Sequence, residues 1–363
     1  MNLFPNIEKV YTRDTMNARD AQRLAEFIAW GPVVFQVSRL MVKFGILERL
    51  RDKEMTLQEI AEAAGLSEYA AKVLLEASLS VGTVIINTET DRYSLTKTGW
   101  FLINDPATRV NLDFNQDINY EGFFRLEESL KEGRPAGLEH FGSWPTIYEG
   151  LSSLPEQAKK SWFGFDHFYS DHSFDEALPI IFASNPQKLM DVGGNTGRFA
   201  QRCVGYSPDV QVTIVDLPQQ LEMMRKEVAG TPGANRIGGH PMNMLDPSQE
   251  FPAIGPDVIW MSQFLDCFSE PQILSILQRA AKVAGPQTRL CIMETFWDRQ
   301  RFEPAALCLT MTSLYFTVMA NGNSKMYHSD DMIRIVRQAG FEVDTIHDGL
   351  GQGHTILVCK KQK

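Results

Sequence analysis

The stretch KLMDVGGNTGRFAQRCV, residues 188–204, combines residue types that suit the binding of a nucleotide. An apolar run ends near an aspartate, a glycine-rich turn follows, and a helix is predicted to begin near Arg198. Glycine permits positive φ and a close approach of ligand to backbone, and asparagine tolerates left-handed geometry better than most residues. This order of strand, loop and helix predicts a nucleotide-binding βαβ unit. The residues expected at the site are Asp191, Gly193, Gly194, Asn195 and Gly197.

A second acid, Asp216, ends the next apolar run, VTIVDLP. An acid at this place can accept both hydroxyls of a ribose, and its alternative role is to cap the helix that follows. The glycines are spaced GGxxG, whereas dinucleotide sites use GxGxxG, and Asp191 would repel a pyrophosphate while attracting a cation. The pattern therefore favours S-adenosylmethionine, which carries an ammonium and a sulfonium, over a nicotinamide dinucleotide.

Asp266 lies in the segment SQFLDCF, which follows a further apolar run at 256–262. In a doubly wound fold, reactive groups gather beyond the carboxyl ends of the strands. Burial among Phe264, Leu265 and Phe268 would raise the pKa of this carboxyl, because burial disfavours the charged form. Asp266 is thus a candidate for acid–base chemistry.

The elements that hold these residues form three predicted parts. Residues 1–105 are predicted to be mainly helical with a winged helix-turn-helix, and residues 106–175 to be an aromatic-rich helical linker. Residues 176–363 are predicted to form an α/β domain whose strands alternate with helices and end in a hairpin at 340–361.

The winged helix leaves two functions open, DNA binding and dimerisation. Its second helix, 68–81, carries Glu68, Lys72 and Glu76, which is not a basic footprint. Lys and Arg number 35 against 45 Asp and Glu, so the net charge of −10 disfavours binding to nucleic acid or an anionic membrane. Apolar residues recur at helical spacing through 20–50 and need a partner surface, which favours dimerisation.

Cysteines and the N-terminal sequence bear on the compartment. The chain has five cysteines without CxxC spacing, which indicates neither a disulfide framework nor a zinc site. The N-terminus lacks the apolar core of a signal peptide, and no apolar run reaches the roughly 18 residues of a membrane span. The sequence predicts a soluble, cytoplasmic protein.

These motifs resemble those of the small-molecule O-methyltransferases of the caffeic acid O-methyltransferase type. The family hallmark DVGGGTG is DVGGNTG here, and the family's DLP is unaltered at 216–218. The stretch FIAWGPVVFQVSRLMVKFGILERL looks like the family's first dimerisation helices, so the resemblance covers nearly the whole chain. It implies a Rossmann-like class I methyltransferase sheet, a mainly helical winged-helix domain, a homodimer, and S-adenosylmethionine as the cofactor.

The resemblance also implies particular cofactor contacts. The family's GDMF or GDFF segment is similar to Met242-Asn243-Met244-Leu245, so an amide replaces a carboxylate that holds the adenine, and the amide oxygen can still accept from adenine N6. The family's lysine or polar residue before the catalytic loop falls on Ser262. The cofactor-binding residues so implied are Asp191, Gly193, Gly194, Asn195, Gly197, Asp216, Leu217, Asn243, Met244, Ser262 and Gln263.

In the same comparison SQFLDCFSE falls on the family's ILHDWSDE, and Asp266 takes the place of its catalytic histidine. Glu294 matches the first supporting glutamate, whereas the second falls on Met326. An ordinary Asp is a weaker base than His by about 3.5 kcal/mol in proton affinity. Asp266 is therefore predicted to be either a carboxylate base tuned by burial and by Glu294, or an orienting acceptor for a more acidic hydroxyl or an amine.

Other residues are candidates for the base or for the walls of the acceptor site. His328, His167 and His172 are alternative bases, with structural roles as the competing interpretation. Asp266 and Glu294 lack a third ligand, so no metal site is predicted. The predicted substrate-lining residues, for which core packing is the alternative, are Trp144, Phe163, His167, Tyr169, Met311 and Tyr315.

The sequence as a whole predicts an S-adenosylmethionine-dependent methyltransferase that acts on an oxygen of a small, aromatic, hydroxylated molecule. One alternative is a degenerate protein that binds the cofactor as a sensor or binds a partner, because two of the three base positions differ from the family. A second alternative is a winged-helix regulator with a ligand domain.

Overall fold

A computed structural model describes residues 2–362, and of Ser170 and Asp171 it describes the backbone alone. The α-helices in chain order are α1 Pro5–Tyr11, α2 Ala18–Ala29, α3 Gly31–Lys43, α4 Ile46–Asp52, α5 Leu57–Ala64, α6 Glu68–Val81, α7 Lys97–Asn104, α8 Pro106–Phe114, α9 Leu126–Glu132, α10 Ile147–Gly150, α11 Glu156–Asp171, α12 Phe174–Ile181, α13 Arg198–Tyr206, α14 Pro218–Val228, α15 Glu270–Val283, α16 Glu303–Tyr315 and α17 Ser329–Gln338. The strands are β1 Met55–Thr56, β2 Val84–Asn87, β3 Arg92–Leu95, β4 Lys188–Val192, β5 Gln211–Asp216, β6 Ile237–Pro241, β7 Val258–Ser262, β8 Arg289–Glu294, β9 Phe341–Leu350 and β10 His354–Lys361.

The chain divides into two compact units, and the smaller one comprises residues Asp14–Asp117. It contains the predicted winged helix: α5, a left-handed turn at Gly65, α6, and the hairpin β2–β3, which β1 joins as a third strand. The side-chain oxygen of Ser67 accepts the N–H of Ala70 and so caps α6.

Helix α2 of the smaller unit carries exposed apolar side chains. Within the described residues none of its side chains is buried. The exposed apolar residues on this helix and at the start of α3 are Leu24, Phe27, Ile28, Trp30 and Val33. Such a contiguous run of apolar surface is typical of a protein interface.

The larger unit holds residues Ile118–Lys363 together with the N-terminal residues up to Arg13. Its seven strands have the order β6-β5-β4-β7-β8-β10-β9. The five strands β4 to β8 run parallel, and β10 runs antiparallel to both of its neighbours, β8 and β9. Helices pack on both faces of this sheet over two apolar clusters. The Rossmann-like sheet, the terminal hairpin and the mainly helical N-terminal unit are confirmed.

The division differs from the predicted boundary near residue 105. Asp105 does not open a linker but accepts the N–H of Thr108 and caps α8, with Pro106 at the first helical position. Leu112 of α8 then packs in the core of the smaller unit. The first residues belong to the larger unit instead, because Phe4 N–H bonds the carbonyl of Asp298 and Ile7 is fully buried.

No helix in the described part of the chain is both long enough and apolar enough to cross a membrane.

Candidate active site

The glycine-rich loop joins β4 to α13 and has the backbone geometry that its sequence predicts. Gly193 and Gly197 have φ of 75° and 82°, and Asn195 has φ of 49°. A Cβ at Gly193 would lie 2.2 Å from Cδ2 of Phe264, so the loop tolerates no side chain there. The same contact shows that the loop touches the segment that carries Asp266.

Asp216 lies at the end of β5 and forms a hydrogen bond with the glycine-rich loop. Its Oδ2 accepts the N–H of Asn195 at 2.9 Å, and its Oδ1 accepts the N–H of Leu217 at 2.7 Å. Burial raises the pKa of Asp216, and the two backbone donors oppose that rise. A carboxylate oxygen has two lone pairs, so each can still accept a ribose hydroxyl.

A pocket opens between the glycine loop, the ends of β4 and β7, and helices α11 to α13. It has a volume of about 90 Å³, which is enough for a small polar group. The lining residues are Asp166, His167, Phe174, Asp191, Gly193, Gly194, Asn195, Thr196, Arg198, Phe199, Trp260, Ser262 and Gln263.

Several buried acceptors of this pocket have no hydrogen-bond partner among the described residues: Asp191 Oδ2, Asn195 Oδ1 and Gln263 Oε1. Burial, and then the nearby charge of Asp216, raise the pKa of Asp191 to about 7. Gln263 has φ of 43°, a strained conformation for a non-glycine residue and one often found at functional sites. The pocket therefore offers acceptors to a cation, which fits the ammonium end of S-adenosylmethionine.

The pocket does not take in every predicted cofactor residue. Asp216, Leu217, Asn243 and Met244 are absent from its lining in the described structure. Asn243 is exposed and its side-chain oxygen accepts the N–H of Leu245, whereas the preceding Met242 N–H bonds the carbonyl of Asp216. Asp216 and the turn that begins at Met242 are therefore adjacent, and Asp216 reaches the pocket lining through its bond to Asn195.

Asp266 lies in a single helical turn, Leu265–Cys267, just beyond β7, and its residue is 5% exposed. Burial raises the pKa of Asp266, and the Sγ of Cys267 lies 3.5 Å from its Oδ1 as a weak donor that opposes the rise. Glu294 ends β8, and its Oε1 accepts the N–H groups of Phe264 at 3.1 Å and Leu265 at 2.8 Å. Glu294 thus holds the backbone that carries Asp266.

The second oxygen of Glu294, Oε2, is buried without a hydrogen-bond partner in the described structure. Burial and the charge of Asp266 raise the pKa of Glu294 well above its usual range. Two close buried carboxyls resist joint ionisation, so Glu294 is expected to keep its proton near neutral pH while Asp266 titrates.

The predicted substrate-lining residues are dispersed. Tyr315 is buried, and its hydroxyl accepts from the indole N–H of Trp162 at 2.8 Å. Burial raises the pKa of Tyr148, and Cys267, Tyr315 and Asp266 raise it further, which places all four close together. Tyr148 was not predicted as a lining residue, because nothing in its local sequence distinguishes it from core.

Other predicted lining residues have different surroundings. Phe163 stacks on His167, whose ring reaches the pocket of the glycine loop. Tyr169 packs against neighbouring phenylalanines of its own helix. Trp144 packs so closely on Gly150 that a Cβ there would meet its ring at 2.4 Å, and Met311 is 53% exposed.

The two alternative bases outside this pocket have structural contacts. His328 caps α17, since its Nδ1 accepts the N–H of Asp330 at 3.0 Å. His172 bonds the carbonyl of Phe168 through Nδ1 at 2.8 Å. Met326 is buried beside Thr295, whose hydroxyl lies 3.7 Å from its sulfur, so the position stays next to the end of β8 even without a carboxylate.

Comparison with known families matches both units. Residues 22–93 match the Dimerisation2-like domain, and residues 171–342 match the O-methyltransferase domain. The L-tyrosine C(3)-methyltransferase of Streptomyces lavendulae is 24% identical over 331 residues, 90% of this chain and 88% of the relative. The mitomycin biosynthesis 6-O-methyltransferase of Streptomyces lavendulae is 22% identical over 309 residues, 84% of each chain.

Solved structures share the fold. The apo S-adenosylmethionine-dependent methyltransferase SibL has a TM-score of 0.70 at 24% identity, covering 93% of this chain and 98% of its own. Human N-acetylserotonin methyltransferase in complex with S-adenosylmethionine has a TM-score of 0.62 at 17% identity, covering 97% and 100%. The chain therefore belongs to the S-adenosylmethionine-dependent O-methyltransferase family and carries that family's N-terminal dimerisation-type domain.

Proposed function

We propose that this enzyme methylates the hydroxyl oxygen of a small aromatic molecule, with Asp266 as the group that accepts the hydroxyl proton. The observation that carries the proposal is the packing of Phe264 on Gly193. This packing keeps the segment that carries Asp266, two residues further on, beside the glycine-rich loop, where the proposal places the cofactor. S-adenosylmethionine, when bound, supplies an electrophilic methyl group on a sulfonium.

Basicity is the difficulty for a carboxylate in this role. A phenol has a pKa of about 10, so an ordinary aspartate is a poor base for it. Here the buried surroundings raise the pKa of Asp266 to about 6, close to the value of an ordinary histidine. Burial therefore increases the proton affinity of Asp266, and Glu294, whose pKa is raised further, holds its own proton and leaves Asp266 as the group that accepts the hydroxyl proton.

Aromatic side chains support the acceptor class. Tyr148, Tyr315 and Trp162 lie around the Asp266 and Cys267 segment, and such flat apolar surfaces suit an aromatic ring. Their hydroxyl and indole groups already bond one another in part, which leaves shape and Asp266 to orient the acceptor.

Methylation of a ring carbon is a second candidate, because one similar protein is an L-tyrosine C(3)-methyltransferase. Removing the phenolic proton also increases the electron density on the carbon next to the hydroxyl. Once the methyl group has moved from sulfur to that carbon, the ring hydrogen there leaves as a proton and the oxygen regains one, which restores the aromatic ring. The same base would therefore serve both reactions, and the choice would depend on which atom faces the cofactor.

The test is methyl transfer from labelled S-adenosylmethionine to a panel of acceptors that includes L-tyrosine, 3-amino-4-hydroxybenzoate and N-acetylserotonin. Asp266→Asn is expected to lower turnover by about a hundredfold or more and to leave the affinity for S-adenosylhomocysteine unchanged. Asp266→His is the matched variant and should retain activity. Unchanged turnover in Asp266→Asn would overturn the role of Asp266, and the carbon-13 shift of the new methyl group separates oxygen from carbon products.

We further propose that the chain is a homodimer that buries the apolar surface of α2. The exposed Ile28 and Trp30 of this region, together with the match to a dimerisation-type domain, support the proposal. Light scattering should give a dimer for the native chain and a monomer for the double variant Ile28→Asp with Trp30→Asp. Phe124→Asp, at a residue 90% exposed outside this surface, is the control and should stay dimeric. A dimer that survives the double variant would contradict the assignment.

A further inference from the structure

Trp260 lies in the middle of the sheet yet borders the cofactor pocket. It is fully buried, and its ring stacks on Phe199 with ring centres 4.7 Å apart. Its indole Nε1 has no hydrogen-bond partner within residues 2–362. A buried N–H without an acceptor is costly, so the position calls for an explanation.

The register of the sheet places this donor beside an acid. Trp260 of β7 pairs directly with Asp191 of β4, and paired residues on neighbouring strands project from the same face. Asp191 Oδ2 is likewise buried without a partner in the described chain. One pocket therefore holds an unused donor and an unused acceptor on adjacent strands, the complement of a group with a carboxylate and an ammonium.

We infer that the indole N–H of Trp260 donates a hydrogen bond to the carboxylate of the cofactor's amino acid end, while Asp191 accepts from the ammonium. The pocket's small volume fits that end of the molecule. Arg198, which also lines the pocket, adds positive charge near the same carboxylate. The inference depends on the cofactor alone and holds whatever the acceptor is.

The competing explanation is that ordered water occupies the pocket and satisfies both atoms. Two ligands separate the explanations. S-adenosylhomocysteine carries both the carboxylate and the ammonium, and its decarboxylated analogue, 5′-(3-aminopropylthio)-5′-deoxyadenosine, keeps the ammonium and lacks the carboxylate.

Titration calorimetry of the full chain with each ligand tests the inference. Trp260→Phe should weaken binding of S-adenosylhomocysteine about tenfold to hundredfold and leave binding of the decarboxylated analogue unchanged. Trp297→Phe, which changes a tryptophan that contacts Tyr11 and His328 and does not line the pocket in the described structure, is the control and should bind both ligands as the native chain does. Equal losses for both ligands would reduce Trp260 to a packing role, and no loss for either would leave water as its partner; both overturn the inference.

Nuclear magnetic resonance of the native chain gives an independent readout that survives a failure of the variant to fold. The indole N–H resonance of Trp260, assigned by selective labelling, should move downfield with S-adenosylhomocysteine and much less with the decarboxylated analogue. Equal movement with both ligands would refute the hydrogen bond. No acceptor is present in either experiment, so the outcome is separate from the role of Asp266.

Discussion

Replacing Asp191 by Asn should stabilise the protein in the absence of cofactor, and more so at high pH than at low pH. Asp191 is 2% exposed, and burial with the nearby Asp216 charge raises its pKa to about 7. An acid with a raised folded-state pKa destabilises the folded protein once it ionises. That destabilisation is fully present above the folded-state value and disappears as pH falls to the unfolded value, about 4.

The size of the effect follows from the two pKa values. About three units separate the folded value of about 7 from the unfolded one, and each unit is about 1.4 kcal/mol, so the ionised carboxylate destabilises the fold by about 4 kcal/mol. At about pH 5 only about one unit of that difference applies, or about 1.4 kcal/mol. The free energy of unfolding of Asp191→Asn should therefore exceed that of the native chain by a margin that widens by about 2 to 3 kcal/mol between about pH 5 and about pH 8.5.

Urea unfolding of both proteins at the two pH values measures this margin. Asp209→Asn, a change at an exposed acid, is the control and should show a margin near zero at both. A margin for Asp191→Asn that stays constant with pH would refute the raised pKa. In calorimetry, S-adenosylhomocysteine should release protons on binding to the native chain near pH 7, because its ammonium favours the ionised form of Asp191, and this release should be lost in the variant.

Three further predictions concern backbone supports. Glu294→Ala removes the acceptor for two buried N–H groups and should lower the free energy of unfolding by about 2–6 kcal/mol. Glu294→Gln keeps an acceptor and should avoid most of that loss. Equal losses for the two variants in urea unfolding would contradict the role of Glu294 as a backbone acceptor. Gly193→Ala should abolish tight binding of S-adenosylhomocysteine, because the added Cβ would collide with the ring of Phe264 and displace the loop. Gly230 has a similar φ of 77° but no atoms near the place of a Cβ, so Gly230→Ala should bind the ligand normally in the same titration. Ser67→Ala removes a helix cap and should lower the free energy of unfolding by about 1 kcal/mol, with an unchanged melting temperature as the contrary result.

The parts of the site that could be predicted from sequence are those with local causes. The loop after β4 can be predicted because glycines stand at positions that need positive φ, and Asp216 because it ends an apolar strand. Trp260 gives no such signal, since a tryptophan in an apolar strand reads as core. Its exceptional feature, an unpaired N–H beside Asp191, exists only after the strands have paired.

The boundaries of the two compact units also depend on contacts that the local sequence does not contain. The segment around Asp105 has turn-forming residues, and these mark the start of a helix as readily as a linker. Which core receives that helix depends on Leu112 and its distant neighbours. The N-terminal residues likewise join the larger unit through a bond from Phe4 to Asp298, a pairing across nearly the whole chain that no local pattern contains.

The exchanges at positions 266 and 326 can be understood together. In the family that the sequence resembles, a histidine is supported by two glutamates, whereas here Asp266 faces Glu294 and the third position is Met326. Both arrangements contain two acids, but this one lacks the imidazole whose positive charge, once protonated, would offset the charges of the two carboxylates. A glutamate at 326 would put a third carboxyl near the buried end of β8, beside Thr295, and would make joint ionisation still less favourable. With methionine at position 326, one proton on Glu294 is enough to prevent two neighbouring negative charges. Asp266 can then alternate between its charged and neutral forms, while Glu294 continues to accept the backbone N–H groups of Phe264 and Leu265. The loss of the second glutamate is thus the change that a carboxylate at position 266 requires if it is to act as a base.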